Sequence, residues 1–276
     1  MENVSCCVVS CERPLDQTYW NNQYKANTIN WDLGEVSSPI KTYIDKLKDK
    51  SISILIPGCG NTYEADYLLQ KGFANITVID IAPLLIDNLQ QKFQGNKNIT
   101  VLLADFFEHQ GKYDLIIEQT FFCALPPTLR QKYVYKMYQL LSNNGLLAGL
   151  LFNRTFEQGP PFGGNKSEYE NLFKDAFIID KMDDCNNSIL PRANTELWIE
   201  LKKNNVVKVA MYQFEGITCN GCMATVTQKI LALPNVLNVS MSSDYATVII
   251  TSNTEITLHN LQNEIEYDAK YKIKKL

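Results

Sequence analysis

Two groups of residues in this chain have the types and spacing to do chemistry. The first is Gly58-Cys59-Gly60, directly behind the apolar run 52–56, with Asp80 closing a second apolar run about twenty residues on. Glycines at that turn let the backbone bend tightly and approach a ligand where a Cβ would obstruct. A carboxylate at the end of the second run, with Ile81 beside it, can accept hydrogen bonds from both ribose hydroxyls, so an adenosine derivative is the expected ligand. The second group is Cys219-Asn-Gly-Cys222. Two thiolates so spaced on a loop can hold one Cu(I) or another soft ion, and a following helix N-terminus favours thiolate over thiol.

These residues need elements to position them. Strand-like runs occur at 52–56, 76–80, 99–103, 114–118 and 146–152, with helical patterns at 39–50, 63–71, 83–93 and 129–141. Alternating strands and helices predict a parallel sheet covered on both faces, an α/β domain. Runs at 177–180 and 195–202 read as a closing antiparallel pair. After the polar joint 202–205 the pattern becomes β-α-β-β-α-β, with strands at 206–214, 236–241, 245–251 and 270–275 and helices at 222–232 and 256–265. That is the split-βαβ order of a ferredoxin-like α+β unit. The expected division is a loose tail over 1–14, a cofactor domain over 15–203 and a metal domain over 206–276.

At 276 residues the chain is long enough for one large and one small domain, and 45% hydrophobic content supplies their cores. A formal charge of -4 offers no basic field for nucleic acid, and no apolar run reaches the ~18 residues of a membrane span. The N-terminus lacks a basic, apolar leader, so the expected location is the cytoplasm. There, eight cysteines indicate thiols or metal ligands rather than a disulfide framework.

Gly58-x-Gly60 alone would also suit a dinucleotide oxidoreductase, but the third glycine of that fingerprint is Tyr63 here. Asp105-Phe106-Phe107 follows the third run, where an acid can accept the adenine amino group and a ring can stack on the base. Glu118 ends the fourth, at the crevice outside the strands' carboxyl ends. Together with Trp20-x3-Tyr24-x6-Trp31, Phe121-Phe-Cys-Ala-Leu-Pro-Pro127, Arg130 and Gly159-Pro-Pro-Phe-Gly-Gly164, these motifs resemble the thiopurine S-methyltransferase family, in particular its halide/thiol branch. The resemblance covers about residues 15–203. It implies a class I Rossmann-like methyltransferase fold, S-adenosylmethionine as methyl donor and a small soft acceptor: a thiol, hydrosulfide, halide, thiocyanate or metalloid oxyanion.

Carried over by position, the resemblance puts Trp20 and Trp31 near the sulfonium end, where aromatic faces attract a cation. Gly58, Cys59 and Gly60 would line the methionine portion, Asp80 and Ile81 the ribose, and Asp105, Phe106 and Glu118 the rest of the cofactor. Arg130 matches an arginine near the acceptor, and Phe162 stands where halide/thiol relatives carry a tyrosine at the acceptor. The tail resembles the heavy-metal-associated domain of copper chaperones. That likeness implies metal at Cys219 and Cys222, a nearby tyrosine at Tyr267 within 264–269, and a protein that exchanges metal with it. Ile217 and Glu266 depart from that family's usual methionine and glycine. Cys6-Cys7-x3-Cys11 in the loose tail is a third thiol cluster.

Methyl transfer is an in-line displacement, so alignment supplies much of the acceleration and a soft anion needs no general base. His109 and His259, the two histidines, are therefore expected to be ordinary surface residues. Two other readings stay open at this point: a metal chaperone or sensor whose first domain binds cofactor without turnover, and a nicotinamide oxidoreductase.

Overall fold

The computed structural model describes residues 14–242, 244–265 and 270–276. Cys6, Cys7, Cys11, Glu266 and Tyr267 lie outside them. The chain begins with α1 (Gln17–Lys25), started by Asp16, whose carboxylate accepts the Tyr19 N–H at 2.9 Å. Then come α2 (Ser38–Lys46), β1 (Ile54–Pro57), α3 (Tyr63–Gln70), β2 (Ile76–Asp80), α4 (Pro83–Lys92), β3 (Ile99–Leu103) and β4 (Tyr113–Gln119). Proline in the first turn of α2 and of α4 suits a position whose N–H has no helical acceptor. After β4 come α5 (Arg130–Leu140), β5 (Leu141–Phe152), α6 (Lys166–Phe173), β6 (Phe177–Asp184) and β7 (Glu196–Lys203).

The seven strands form one sheet in the order β3-β2-β1-β4-β5-β7-β6. β1 to β5 pair in parallel, and β7 runs antiparallel between β5 and β6. All four residues of β1 are buried, as a strand covered by helices on both faces requires. Its apolar residues feed two cores, one holding Ile54, Ile56, Val78 and Ile86, the other Leu55, Ile116, Tyr133 and Phe173. Chain order reverses between β1 and β4, which makes their carboxyl ends the switch-point crevice.

A second, wholly antiparallel sheet has the order β11-β8-β10-β9, from β8 (Lys208–Glu215), β9 (Val236–Met241), β10 (Thr247–Ser252) and β11 (Lys272–Lys275). Helices α7 (Asn220–Leu231) and α8 (Leu258–Ile265) bury Val226, Ile230, Leu261 and Ile265 against one face. The other face does not meet solvent alone. Met211 and Ile249 close on Tyr135 of α5, and Gln131 Nε2 donates to Ser240 Oγ at 2.7 Å. Tyr138 donates to the Val207 carbonyl at 2.9 Å, and Asn238 reaches Asp175.

These contacts orient the two sheets. The start of β8 lies at the end of α5, while Ser240, near the end of β9, lies at its start. Through β10, Ser240 is level with Ile249 and Met211, so the loop after β8 lies beyond the Gln131 contact, on the side away from the Tyr138 end of α5. No helix among the described residues is long and apolar enough to cross a membrane.

Candidate active site and metal clip

The floor of the crevice is the turn after β1. Gly58 has φ +55, and a Cβ built there would stand 2.2 Å from the Phe121 ring, so the ring of the β4 side lies directly on this backbone. Cys59 N–H donates to the Ile79 carbonyl at 3.1 Å, which ties the turn to β2. Asp80 then accepts from both sides, from Gly60 N–H at 3.3 Å and from Ala82 N–H at 3.0 Å. Burial pushes the Asp80 carboxyl up, and Asp80 in turn adds to the burial that raises the Cys59 thiol and the Tyr24 phenol.

The roof comes from the N-terminal segment. Trp20 and Trp31 meet edge to face at 5.5 Å, and Tyr24 meets Trp31 at 6.0 Å. The Tyr24 hydroxyl lies 3.6 Å from the Cβ position of Gly60. Asn21 accepts the Leu84 N–H at 2.9 Å, and Asp32 pairs with Asn61, so the roof is pinned to α4 and to the glycine turn. Ile81 is half-buried beside Asp80. At the β3 end Asp105 is exposed and caps its own turn through Phe107 N–H at 2.8 Å. Phe106 is the buried member of an aromatic group; Phe107 and Phe121 stand edge-on to it at 5.3 and 5.0 Å. Two buried polar atoms of the crevice segments, Thr62 Oγ1 and Gln119 Nε2, have no hydrogen-bond partner among the described residues. Side-chain-free glycines, a carboxylate at the end of β2, unpaired polar atoms and an aromatic roof fit an adenosyl sulfonium ligand.

Two expectations need correction. Glu118 does not face a ligand: it is fully buried, and its oxygens accept from Phe121 N–H at 2.8 Å, Phe122 N–H at 2.9 Å and Tyr133 O–H at 2.6 Å. It holds the turn that carries the aromatic wall. Arg130 is likewise not an open acceptor cation. It is 6% exposed, paired through Nη1 with Glu168 and through Nη2 with the Gly163 carbonyl at 2.6 Å, over the Phe122 ring. It anchors the glycine-proline strap 159–164, where a Cβ on Gly163 would collide with the Arg154 carbonyl at 1.8 Å. The strap carries Phe162, whose N–H donates to the Cys123 carbonyl at 2.6 Å.

Sequence reasoning missed Arg192, one of only four arginines in the chain. It lies in the short turn 190–192 before β7, and its Nη2 donates to the Trp31 carbonyl at 2.9 Å. Nη1 is buried 3.6 Å from Glu196 with no hydrogen bond among the described residues. Its charge also reaches the Cys123 thiol, which burial raises, and Glu64, which burial pushes up to about 7. A scarce arginine in the loop before the last strand was the signal available. His109 is half-buried with a ring nitrogen 2.8 Å from the Tyr113 hydroxyl, and burial lowers its pKa; His259 is exposed.

In the second domain the Cys219 and Cys222 thiols lie 3.2 Å apart, with Cys219 exposed and capping α7 through Cys222 N–H. Cys222 is pulled down to about 7, first by the Tyr271 hydroxyl and then by Cys219. Tyr271, four residues beyond Tyr267, is thus a phenol at the clip. Ile217 is buried in the small core. Among the described residues no group of three or more His, Cys, Asp or Glu could hold a metal ion. Two adjacent soft thiols, that of Cys222 lowered, fit a soft, low-coordinate ion better than zinc.

The thiopurine S-methyltransferase family model matches residues 15–210, and that of the heavy-metal-associated domain matches 212–272. A probable thiol methyltransferase 2 of Arabidopsis thaliana is 30% identical over 159 residues, covering 55% of this chain and 70% of the relative. A thiopurine S-methyltransferase of Acinetobacter baylyi is 23% identical over 212 residues, covering 67% and 98%. Thiocyanate methyltransferase 1 of Brassica oleracea is 24% identical over 164 residues, covering 57% and 72%. Among solved structures, a 1,6-didemethyltoxoflavin-N1-methyltransferase of Burkholderia thailandensis superposes with TM-score 0.56 at 16% identity, covering 68% of this chain and 87% of that one. A magnesium protoporphyrin IX methyltransferase of Synechocystis gives 0.55 at 15%, covering 68% and 100%. At such identities the structures establish the shared fold.

Proposed function

The chain belongs to the thiopurine S-methyltransferase family and is an S-adenosylmethionine-dependent methyltransferase fused to a heavy-metal-associated domain, and from that premise we propose that its acceptor is a small soft anion or thiolate. The observation that carries this reading is Arg192, a half-buried cation tied to the roof at Trp31 and ion-paired with Glu196 at 3.6 Å, whose Nη1 makes no hydrogen bond among the described residues. S-adenosylmethionine supplies a methyl carbon bearing a sulfonium leaving group. The acceptor's lone pair forms the new bond to that carbon as the carbon–sulfur bond breaks, and the electron pair stays on the departing sulfur. Asp80 and Asp105 hold the ribose and adenine, Trp20 and Trp31 face the sulfonium, and Phe162 on its Arg130-anchored strap closes the acceptor side. Arg192, its charge balanced by Glu196, would offer an acceptor near the roof a hydrogen-bond donor. A neutral thiol would have to ionise first, since the thiolate is the nucleophile. Thiol and thiocyanate methyltransferases among the relatives support the soft-acceptor class.

The metal clip is read as a Cu(I)-type site at Cys219 and Cys222. The packing of its sheet on α5, the helix that begins at Arg130, supports a link between metal handling and methylation, with a metal-exchanging protein as partner. The test is a headspace assay with methyl-labelled S-adenosylmethionine, offering iodide, thiocyanate, hydrosulfide, a small thiol and tellurite separately, with and without Cu(I). Labelled volatile product from a soft anion is expected. Product only from bulky aromatic thiols would exclude the small-anion reading, and cofactor binding without product from any acceptor would favour a sensor.

A further inference from the structure

We propose that the side-chain amide of Gln119 holds the nucleophile, donating a hydrogen bond to the soft acceptor at the switch-point crevice; the role rests on the methyl-transfer reading above. Gln119 is the last residue of β4, the strand across the chain reversal from β1. Its Oε1 accepts from Ser37 Oγ at 2.9 Å, and Ser37 is itself buried at 2% exposure. That bond fixes the orientation of the amide and leaves Nε2 as the free end. Nε2 is buried and has no partner among the described residues. Buried amide donors are nearly always satisfied, so a fixed, unpaired one at a ligand crevice marks a place where something else accepts.

The topology says which part of the reaction that is. Asp105 and Asp80 stand at the ends of β3 and β2, on one side of β1. A cofactor laid with adenine at Asp105 and ribose at Asp80 brings its sulfonium end to the Gly58 turn. The end of β4, Gln119, lies across the chain reversal from that turn, where an acceptor would approach. The amide therefore faces the attacking side. An uncharged donor also suits this reaction. Attack of an anion on a sulfonium cancels both charges, so a strong ion pair to the nucleophile would stabilise the ground state more than the transition state. Gln119 aligns the acceptor at lower cost to its reactivity.

The test compares wild type, Gln119→Leu and Gln119→Glu in the full chain. Iodide and hydrosulfide serve as acceptors, S-adenosylhomocysteine affinity is read by calorimetry, and folding is checked by thermal melting. Gln119→Leu is expected to raise acceptor KM about tenfold, the scale of one lost hydrogen bond, with S-adenosylhomocysteine affinity within about twofold. Gln119→Glu can still accept from Ser37 but turns a negative oxygen toward the anion, so its iodide KM should rise further than that of the leucine variant. Unchanged KM in both folded variants overturns the proposal. So does lost S-adenosylhomocysteine affinity at constant acceptor KM, which would put the amide on the cofactor instead. Methyl transfer by wild type to neither acceptor would overturn the underlying small-anion reading and this proposal with it.

Discussion

Glu118 is surrounded by three donors, yet burial lifts its pKa to about 7 from an ordinary value of 4.5. The native state therefore holds its proton more tightly than the unfolded chain does. Stability contributed by this group is fully present below about pH 4.5 and is lost as pH rises through about 7, by about 3 kcal/mol in all. Glu118→Gln should remove that dependence: its oxygen can accept the Phe121 and Phe122 amides while its NH2 donates to Tyr133. Urea unfolding at pH 5 and pH 8 should show the variant gaining on wild type as pH rises; parallel curves would mean Glu118 is not the titrating group. At the clip, Tyr271→Phe should return Cys222 toward the ordinary thiol value of about 8.5 and slow its alkylation at pH 7. An unshifted pH profile would assign the lowering to Cys219 and the helix terminus. A strand-end carboxyl is visible in sequence, but the donors that consume it come from residues three to fifteen positions away, folded back upon it. Likewise Tyr271 stands just before the last strand, and only the path of that strand beside β8 brings its hydroxyl to the thiols.

The elements show the same division between local and tertiary information. β1 to β4 were legible because buried parallel strands are continuous apolar runs between glycine, proline and polar breaks. β5 begins earlier than its apolar stretch suggests, at Leu141, because α5 passes into it without a loop. The helix α6 was not legible: Lys166–Phe173 is short and buries only Tyr169 and Phe173, although its Asn165 cap, accepting from Glu168 N–H at 3.0 Å, was a start signal. Missing α6 also hid Glu168, and with it the reason Arg130 is buried. Arg130→Met should therefore act on the strap rather than on the cofactor. Loss of the Glu168 and Gly163 bonds, with Glu168 half exposed to solvent, should cost about 1–3 kcal/mol of stability. Acceptor KM should rise while S-adenosylhomocysteine affinity holds. Lysine should rescue poorly, since it cannot make the forked pair. A variant that loses cofactor affinity first would place Arg130 at the cofactor site instead of the strap.

At the scale of the whole molecule, α5 joins the two sheets. It begins at Arg130, which holds the acceptor strap, and one residue later Gln131 bonds Ser240 of the metal domain. Its middle turn buries Tyr135 against Met211 and Ile249, and its end bonds Val207. Burial of three such side chains, at about 1.5–3 kcal/mol each before ordering costs, is enough to make a small ferredoxin-like unit melt with its neighbour rather than alone. Ile249→Lys puts a charge into this contact on the sheet face away from the clip. The expected result is a single calorimetric transition in wild type and two in the variant, the smaller domain unfolding first. Cu(I) affinity at Cys219 and Cys222 should persist in the variant while any effect of Cu(I) on methyl transfer disappears, because α5 touches both the metal domain and the strap. Two transitions already present in wild type would show the docking too weak to couple the sheets. A copper effect that survived in Ile249→Lys would mean the metal acts by reaching the acceptor site itself.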